Sequence, residues 1–155
     1  MSRREYPERP VVGVGGVVIQ DGRALLIRRG SEPLAGQWSI PGGTLELSET
    51  IAEGVRRELH EETNLEVRVL ELIEAFERIF RDSGGRTQYH FVILDYLCEA
   101  VAGTPRPGGD VTDVAFVAPE ELNRYSLTEA VTRVLGKAFA MARVRAGEQA
   151  RIRNS

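Results

Sequence analysis

The chain has 155 residues, 42% hydrophobic and 28% charged, which fits one globular domain over residues 1–155 with a full core and flexible ends at 1–8 and 149–155. A formal net charge of -3 excludes the broad basic field behind sequence-independent binding, so long DNA or RNA is not an expected partner. Cys98 is the only cysteine, which excludes an intramolecular disulfide and a thiolate zinc cluster and favours the cytoplasm.

The opening MSRREYPERP carries no apolar signal-peptide core, and VVGVGGVVI is too short to cross a bilayer, so no membrane partner is expected. Residues 11 to 29 read as a hairpin, two branched apolar runs flanking Asp21-Gly22, a pair suited to a type I′ turn. GSEPLAGQWSIPGG is a long loop around a short Trp38-Ser39-Ile40 segment. The four residues GVGG at 13 to 16 lack the third glycine and the following helix of a dinucleotide fingerprint, and that reading is rejected. A helix is predicted from Ser48 as N-cap to about Thr63, with Glu49 in its first turn. Residues 65 to 80 and 88 to 100 form a second strand pair around Asp82-Ser83-Gly84-Gly85. After the turn at Pro105 to Gly109, residues 111 to 117 add one more strand to the same sheet. Ser126 and Glu129 have capping-box spacing, and Leu127, Val131, Val134, Leu135 and Ala138 recur at helical period, so a C-terminal helix follows, with the tail RIRNS frayed. Strands interleaved with two helices indicate an α/β fold, helices packed on a mainly mixed or antiparallel sheet.

The first helix ends RRELHEETNL, which places Glu58, Glu61 and Glu62 at the end where the peptide dipole already carries partial negative charge. At about 100° per residue, Glu62 falls among Ile51, Val55 and Leu59, and Glu61 lies beside Glu58. The carboxylates therefore cluster where the core-facing stripe meets the helix end. Pairing with arginines, as expected for Glu53 with Arg57 one turn apart, does not account for all three. A bound divalent cation reverses the sign of the local field, and oxygen donors suit Mg2+ or Mn2+, ions that bind phosphate at the same time. The implied ligand is a phosphate compound.

The segment GTLELSETIAEGVRRELHEETNL, residues 43 to 65, resembles the Nudix box, G-x5-E-x7-R-E-U-x-E-E-x-G-U with U a bulky aliphatic. Gly43, Glu49, Arg57, Glu58, Leu59, Glu61, Glu62 and Leu65 match, and Asn64 stands where the pattern has glycine. The preceding hairpin, Trp38, Pro41-Gly42-Gly43 and the strand order to about residue 123 are also similar to this family. The resemblance implies the Nudix α/β/α sandwich with a mixed central sheet. It implies that Glu58, Glu61 and Glu62 bind metal and activate water, that the carbonyl of Gly42 is a further ligand, and that Glu49 and Arg57 orient them. It implies metal-dependent hydrolysis of the pyrophosphate linkage in a nucleoside diphosphate derivative or nucleoside triphosphate, releasing a nucleoside monophosphate.

Some relatives use an acid outside the box, and Asp110 in GGDVTD is the candidate metal ligand here, with a turn aspartate as its other reading. Arg29, closing the second strand, is either a phosphate contact or a solvated strand end. Trp38 either stacks on a nucleobase or anchors its loop in the core. His90, in an apolar strand, reads as structural. The expected partners are a small nucleotide or nucleoside diphosphate derivative and, as a candidate assembly, a second copy of the chain. A non-catalytic nucleotide-binding regulatory module on the same fold is the alternative. An isoprenyl diphosphate isomerase is disfavoured, because no extra cysteine or long insertion supplies that chemistry. Relatives that cleave ADP-ribose commonly carry a proline about fifteen residues after the box, and this chain has none between Pro41 and Pro105. The tyrosine of dinucleoside-polyphosphate hydrolases is also missing from IFRDSGG, so ADP-ribose and nucleoside triphosphates both stay open.

Overall fold

The computed structural model describes residues 4–154. The elements in chain order are β1 (Val11–Gln20), β2 (Arg23–Arg29), β3 (Trp38–Ser39), β4 (Gly42–Thr44), α1 (Ile51–Thr63), β5 (Glu66–Arg81), β6 (Thr87–Ala102), β7 (Val111–Val117), a 3₁₀ helix (Pro119–Tyr125) and α2 (Glu129–Arg153).

Asp21 and Gly22 both take positive φ, 52° and 74°, which matches the right-handed strand twist and closes the β1–β2 hairpin as its sequence predicts. β1 then runs parallel to β6, from Val11 opposite Phe91 to Val18 opposite Cys98, while β4 pairs antiparallel to its other edge. β2 carries β7 and β3. One parallel pair among antiparallel ones makes the sheet mixed, as expected. β5 and β6 form a long hairpin whose turn is tied by Asp82 Oδ1, which accepts from the amides of Gly84 and Arg86 at 2.9 Å each.

Alternation along β1 sorts its side chains to the two faces of the sheet. Val14 and Val18 join Val55 and Leu59 of α1 on one face, and Val17 joins Leu97, Val134, Leu135 and Phe139 under α2 on the other. A helix on each face gives the α/β/α sandwich.

Three boundaries differ from the sequence reading. Ser48 lies at φ 68° in a turn, and the N-cap of α1 is Thr50, whose hydroxyl accepts from Glu53 N while Glu53 accepts from Thr50 N. Glu53 is thereby used in the cap and makes no pair with Arg57, and Glu49 precedes the helix. The N-cap of α2 is Thr128, because Ser126 closes the unpredicted 3₁₀ helix in the left-handed conformation, φ 50°. At the chain ends, residues 1–3 and 155 lie outside the described residues. Tyr6 donates through its hydroxyl to Asp82 at 2.8 Å and through its amide to Gln88 O at 2.7 Å. α2 continues through Arg153, so residues 151–153 of the tail expected to fray are helical.

Candidate active site

The C-terminal end of α1 meets β4 and the loop before β7, and a cleft of about 390 Å³ opens there. α1 stops at Asn64, whose φ of 65° and ψ of 6° are left-handed, a conformation asparagine tolerates. The last carbonyls of α1 have partners outside the helix: Gly108 N donates to Glu62 O at 3.1 Å and Arg106 N to Thr63 O at 3.0 Å. Asn64 Nδ2 donates to Thr104 O at 3.0 Å. These bonds bind the loop to the helix end and bring Asp110 to the cleft mouth.

Glu58, Glu61, Glu62, Gly42, Arg29 and Asp110 all line this cleft. Glu62 Oε1 accepts from Gly42 N at 2.8 Å. Burial pushes the Glu62 carboxyl up to about 7, against the opposing pull of the Gly42 amide, and the charge of Glu58 adds to the rise. Glu58 is packed against Gly43, where a Cβ would stand 2.5 Å from its carboxyl carbon, so a side chain at residue 43 would displace the Glu58 carboxyl. Burial raises the Glu58 carboxyl too, opposed by Arg57.

Arg57 and Glu49 do not line the cleft; they stand behind it. Arg57 Nε and Nη2 donate to Glu49 at 2.6 and 2.9 Å, Nη2 also to Thr44 O at 3.0 Å, and Nη1 to Glu58 Oε1 at 2.7 Å. The guanidinium beside Glu49 holds that carboxyl down at about 2, and Glu49 in turn holds Arg57 above the usual arginine range. One planar cation is thus fixed by Glu49 and Thr44 and fixes Glu58. Glu61 is the most open of the three, with Arg57 Nη1 at 3.4 Å.

Arg29 donates from Nε to Pro33 O at 2.7 Å, and burial lowers its guanidinium, with Glu62 pulling the other way. Trp38 is not among the cleft residues. It packs edge-on against Tyr125, centroids 5.1 Å apart, at the margin of the α2 core. Among the described residues no three His, Cys, Asp or Glu side chains stand together at metal-ligand spacing. Glu58 Oε1 is turned to Arg57 and Glu62 Oε1 to Gly42, and their second oxygens remain for a ligand.

The sequence reading missed one wall of the cleft. Phe76, Arg78 and Phe80 of β5 and Phe91, Ile93 and Asp95 of β6 line it. Period-two alternation put each set on one face of its strand, and Asp95 was a lone acid in the apolar run HFVILDYLC. Which face was open to solvent depended on long-range packing.

The NUDIX domain family model matches residues 9–137. A MutT-like protein of Streptomyces ambofaciens is 38% identical over 113 residues, 72% of this chain and 66% of that protein. The ADP-ribose pyrophosphatase of Methanocaldococcus jannaschii is 33% identical over 107 residues, 69% of this chain and 61% of that protein. The chain thus matches less than two thirds of the length of either relative. The crystal structure of a MutT NUDIX hydrolase from Burkholderia pseudomallei superposes with a TM-score of 0.73 at 31% identity, covering 84% of this chain and 98% of that one.

Proposed function

The chain belongs to the NUDIX family, and from that premise we propose that it hydrolyses the diphosphate linkage of a nucleoside diphosphate derivative or nucleoside triphosphate, with a divalent metal, releasing a nucleoside monophosphate. The observation that carries this reading is the pair of half-buried carboxyls, Glu58 and Glu62, raised in proton affinity and fixed by Arg57 and Gly42 in a cleft that also holds Arg29.

The donor set fits a hard divalent cation: the free oxygens of Glu58 and Glu62, the exposed carboxylate of Glu61 and the carbonyl of Gly42 are all oxygens, and two of the carboxyls are crowded and unfavourably ionised without a counter-charge. When bound, such an ion neutralises the polyanion and polarises the P–O bond that breaks. Arg29, across from Glu62, supplies a fixed positive charge to the diphosphate. Arg57 keeps Glu58 in one rotamer so that no reorganisation is needed as substrate enters. The attacking water gives its proton to a carboxylate of this helix end, and a proton affinity near neutrality suits that exchange. Asp110 at the cleft mouth is proposed as an additional oxygen donor.

The test is hydrolysis of a panel of nucleotides, with products identified by mass, before and after exhaustive chelation. We expect a nucleoside monophosphate product and activity that disappears on chelation and returns with Mg2+ or Mn2+. Full activity in the chelated protein refutes the mechanism.

A further inference from the structure

The inner wall of the cleft carries a carboxyl that hydrolysis of the diphosphate leaves unused. Asp95 on β6 is 4% exposed, and no described residue donates a hydrogen bond to it. Arg78 on β5 is near enough for each charge to act on the other, but no ion pair joins them. Glu74, the third charged group facing Asp95, is engaged instead with Arg133 and Lys137 of α2. Among the described residues every fully enclosed side-chain oxygen has a partner, so the unpaired oxygens of Asp95 are the ones that open to the cleft. Gly15 on β1 makes room for them: a Cβ there would collide with Asp95 Oδ1 and stand 2.9 Å from the carbonyl of Pro41.

A carboxyl withdrawn from water without a donor is costly, and one that opens on a ligand cavity recovers that cost when the ligand brings N–H groups. The surroundings say what kind of ligand. Phe76, Phe80 and Phe91 line the same wall, an apolar surface against which a base can pack, with the guanidiniums of Arg133, Arg78 and Arg4 5.7, 5.6 and 5.7 Å from their ring centres. The strand register sets Gly15 beside both Asp95 and Gly42. Asp95 therefore lies two strand spacings, about 10 Å, from the glycine whose amide holds Glu62. A diphosphate at the glutamates reaches that point across one sugar.

We propose that Asp95 reads the nucleobase of the substrate, accepting hydrogen bonds from N–H donors on the base edge while the ring lies against the phenylalanine wall. The proposal rests on the reading that a nucleotide occupies this cleft. Adjacent N–H donors, as on guanine, satisfy a carboxylate best, a single exocyclic amine less, and an edge without N–H not at all. Arg78 on the same wall is placed to donate to a ring carbonyl.

The experiment is calorimetric binding, with Mg2+ present, of GMP, AMP and purine riboside monophosphate, whose base has no N–H donor, to wild type, Asp95→Asn and Asp95→Ala. Wild type should prefer GMP over purine riboside monophosphate by about tenfold to a hundredfold. Asp95→Ala should reduce that preference to within about threefold while binding the purine riboside compound no worse than wild type. Asp95→Asn, of the same shape and folding without the buried charge, should fall between them. Equal binding of the three nucleotides by wild type, a preference that survives in both variants, or no binding of any of them overturns the proposal. If binding discriminates but the matching triphosphates are not hydrolysed with metal, the hydrolase reading fails and the assignment of Asp95 stands.

Discussion

Replacing Glu62 by glutamine isolates the cost of ionising a carboxyl in the cleft floor. Burial pushes this group up from 4.5 to about 7 in the folded chain. An acid that holds its proton more tightly when folded stabilises the fold below its unfolded value, and that contribution is lost as pH rises from about 4.5 through about 7. The shift is worth about 3 kcal/mol at pH 8. Glutamine has nothing to ionise, and its Oε1 can still accept from Gly42 N, the bond that measures 2.8 Å in the parent. Metal-free Glu62→Gln should therefore match wild type near pH 4.5 and exceed it at pH 8 by up to about 3 kcal/mol, roughly 6–12 °C in Tm for a chain of this size. Calorimetric melts in chelator across this range measure it. Some pH dependence should persist in the variant, because burial also pushes Asp95 up to about 7. Glu58→Gln supplies the contrast: Glu58 Oε1 accepts from Arg57 at 2.7 Å, so its gain on losing charge is offset by a weakened charge-assisted bond, and it should be stabilised less or not at all. Both variants should lose turnover by about 10²-fold or more. A Glu62→Gln protein that melts at or below wild type at pH 8 would mean that the carboxyl is an ion-pair member of the fold rather than a strained group awaiting a cation.

Arg57→Lys should cost about 1–3 kcal/mol and lower turnover, because an ammonium cannot hold Glu49, Thr44 and Glu58 in one plane. The stabilisation that Glu49 draws from Arg57 is present above its ordinary value and lost as pH falls toward about 2, so the variant should unfold at higher pH than wild type in an acid titration followed by circular dichroism. Trp38→Phe should lose about 1 kcal/mol of stability with KM unchanged, since Trp38 packs on Tyr125 outside the cleft; a tenfold rise in KM would restore it to the substrate site. At Asn64, left-handed with φ 65°, glycine should stay within about 1 kcal/mol of wild type while valine loses more than about 1 kcal/mol and weakens metal binding, compared by denaturant melts and metal titration. Equal behaviour of the two would show that the helix end does not need this conformation.

What the sequence made legible and what it did not divides along the range of the forces involved. The Asp21-Gly22 turn, the end of α1 at Asn64 and the gathering of Glu58, Glu61 and Glu62 follow from spacing along one element, so residues a few positions apart were enough to read them. The cap of α1 is not legible in the sequence because Ser48 and Thr50 are both competent caps, and the reciprocal bonds between Glu53 and Thr50 decide between them. Those same bonds removed Glu53 from Arg57 and released Arg57 for Glu49, so one local competition set the second layer of the site. Trp38 was ambiguous for a different reason: its partner Tyr125 lies in a 3₁₀ helix that carries no apolar period to announce it. Asp95 is the extreme case. Its neighbours are Gly15 of β1 and Arg78 and the phenylalanines of β5, drawn from the two strands that flank its own, and its burial depends on the β1–β6 register, which places a glycine beside it. Within its own strand it was merely an acid among apolar residues, and an acid there is tolerable only where another strand gives way and a cleft supplies the missing donors. On the proposed reading, the phosphate chemistry is displayed in one helix, whereas the choice of base is written across a sheet.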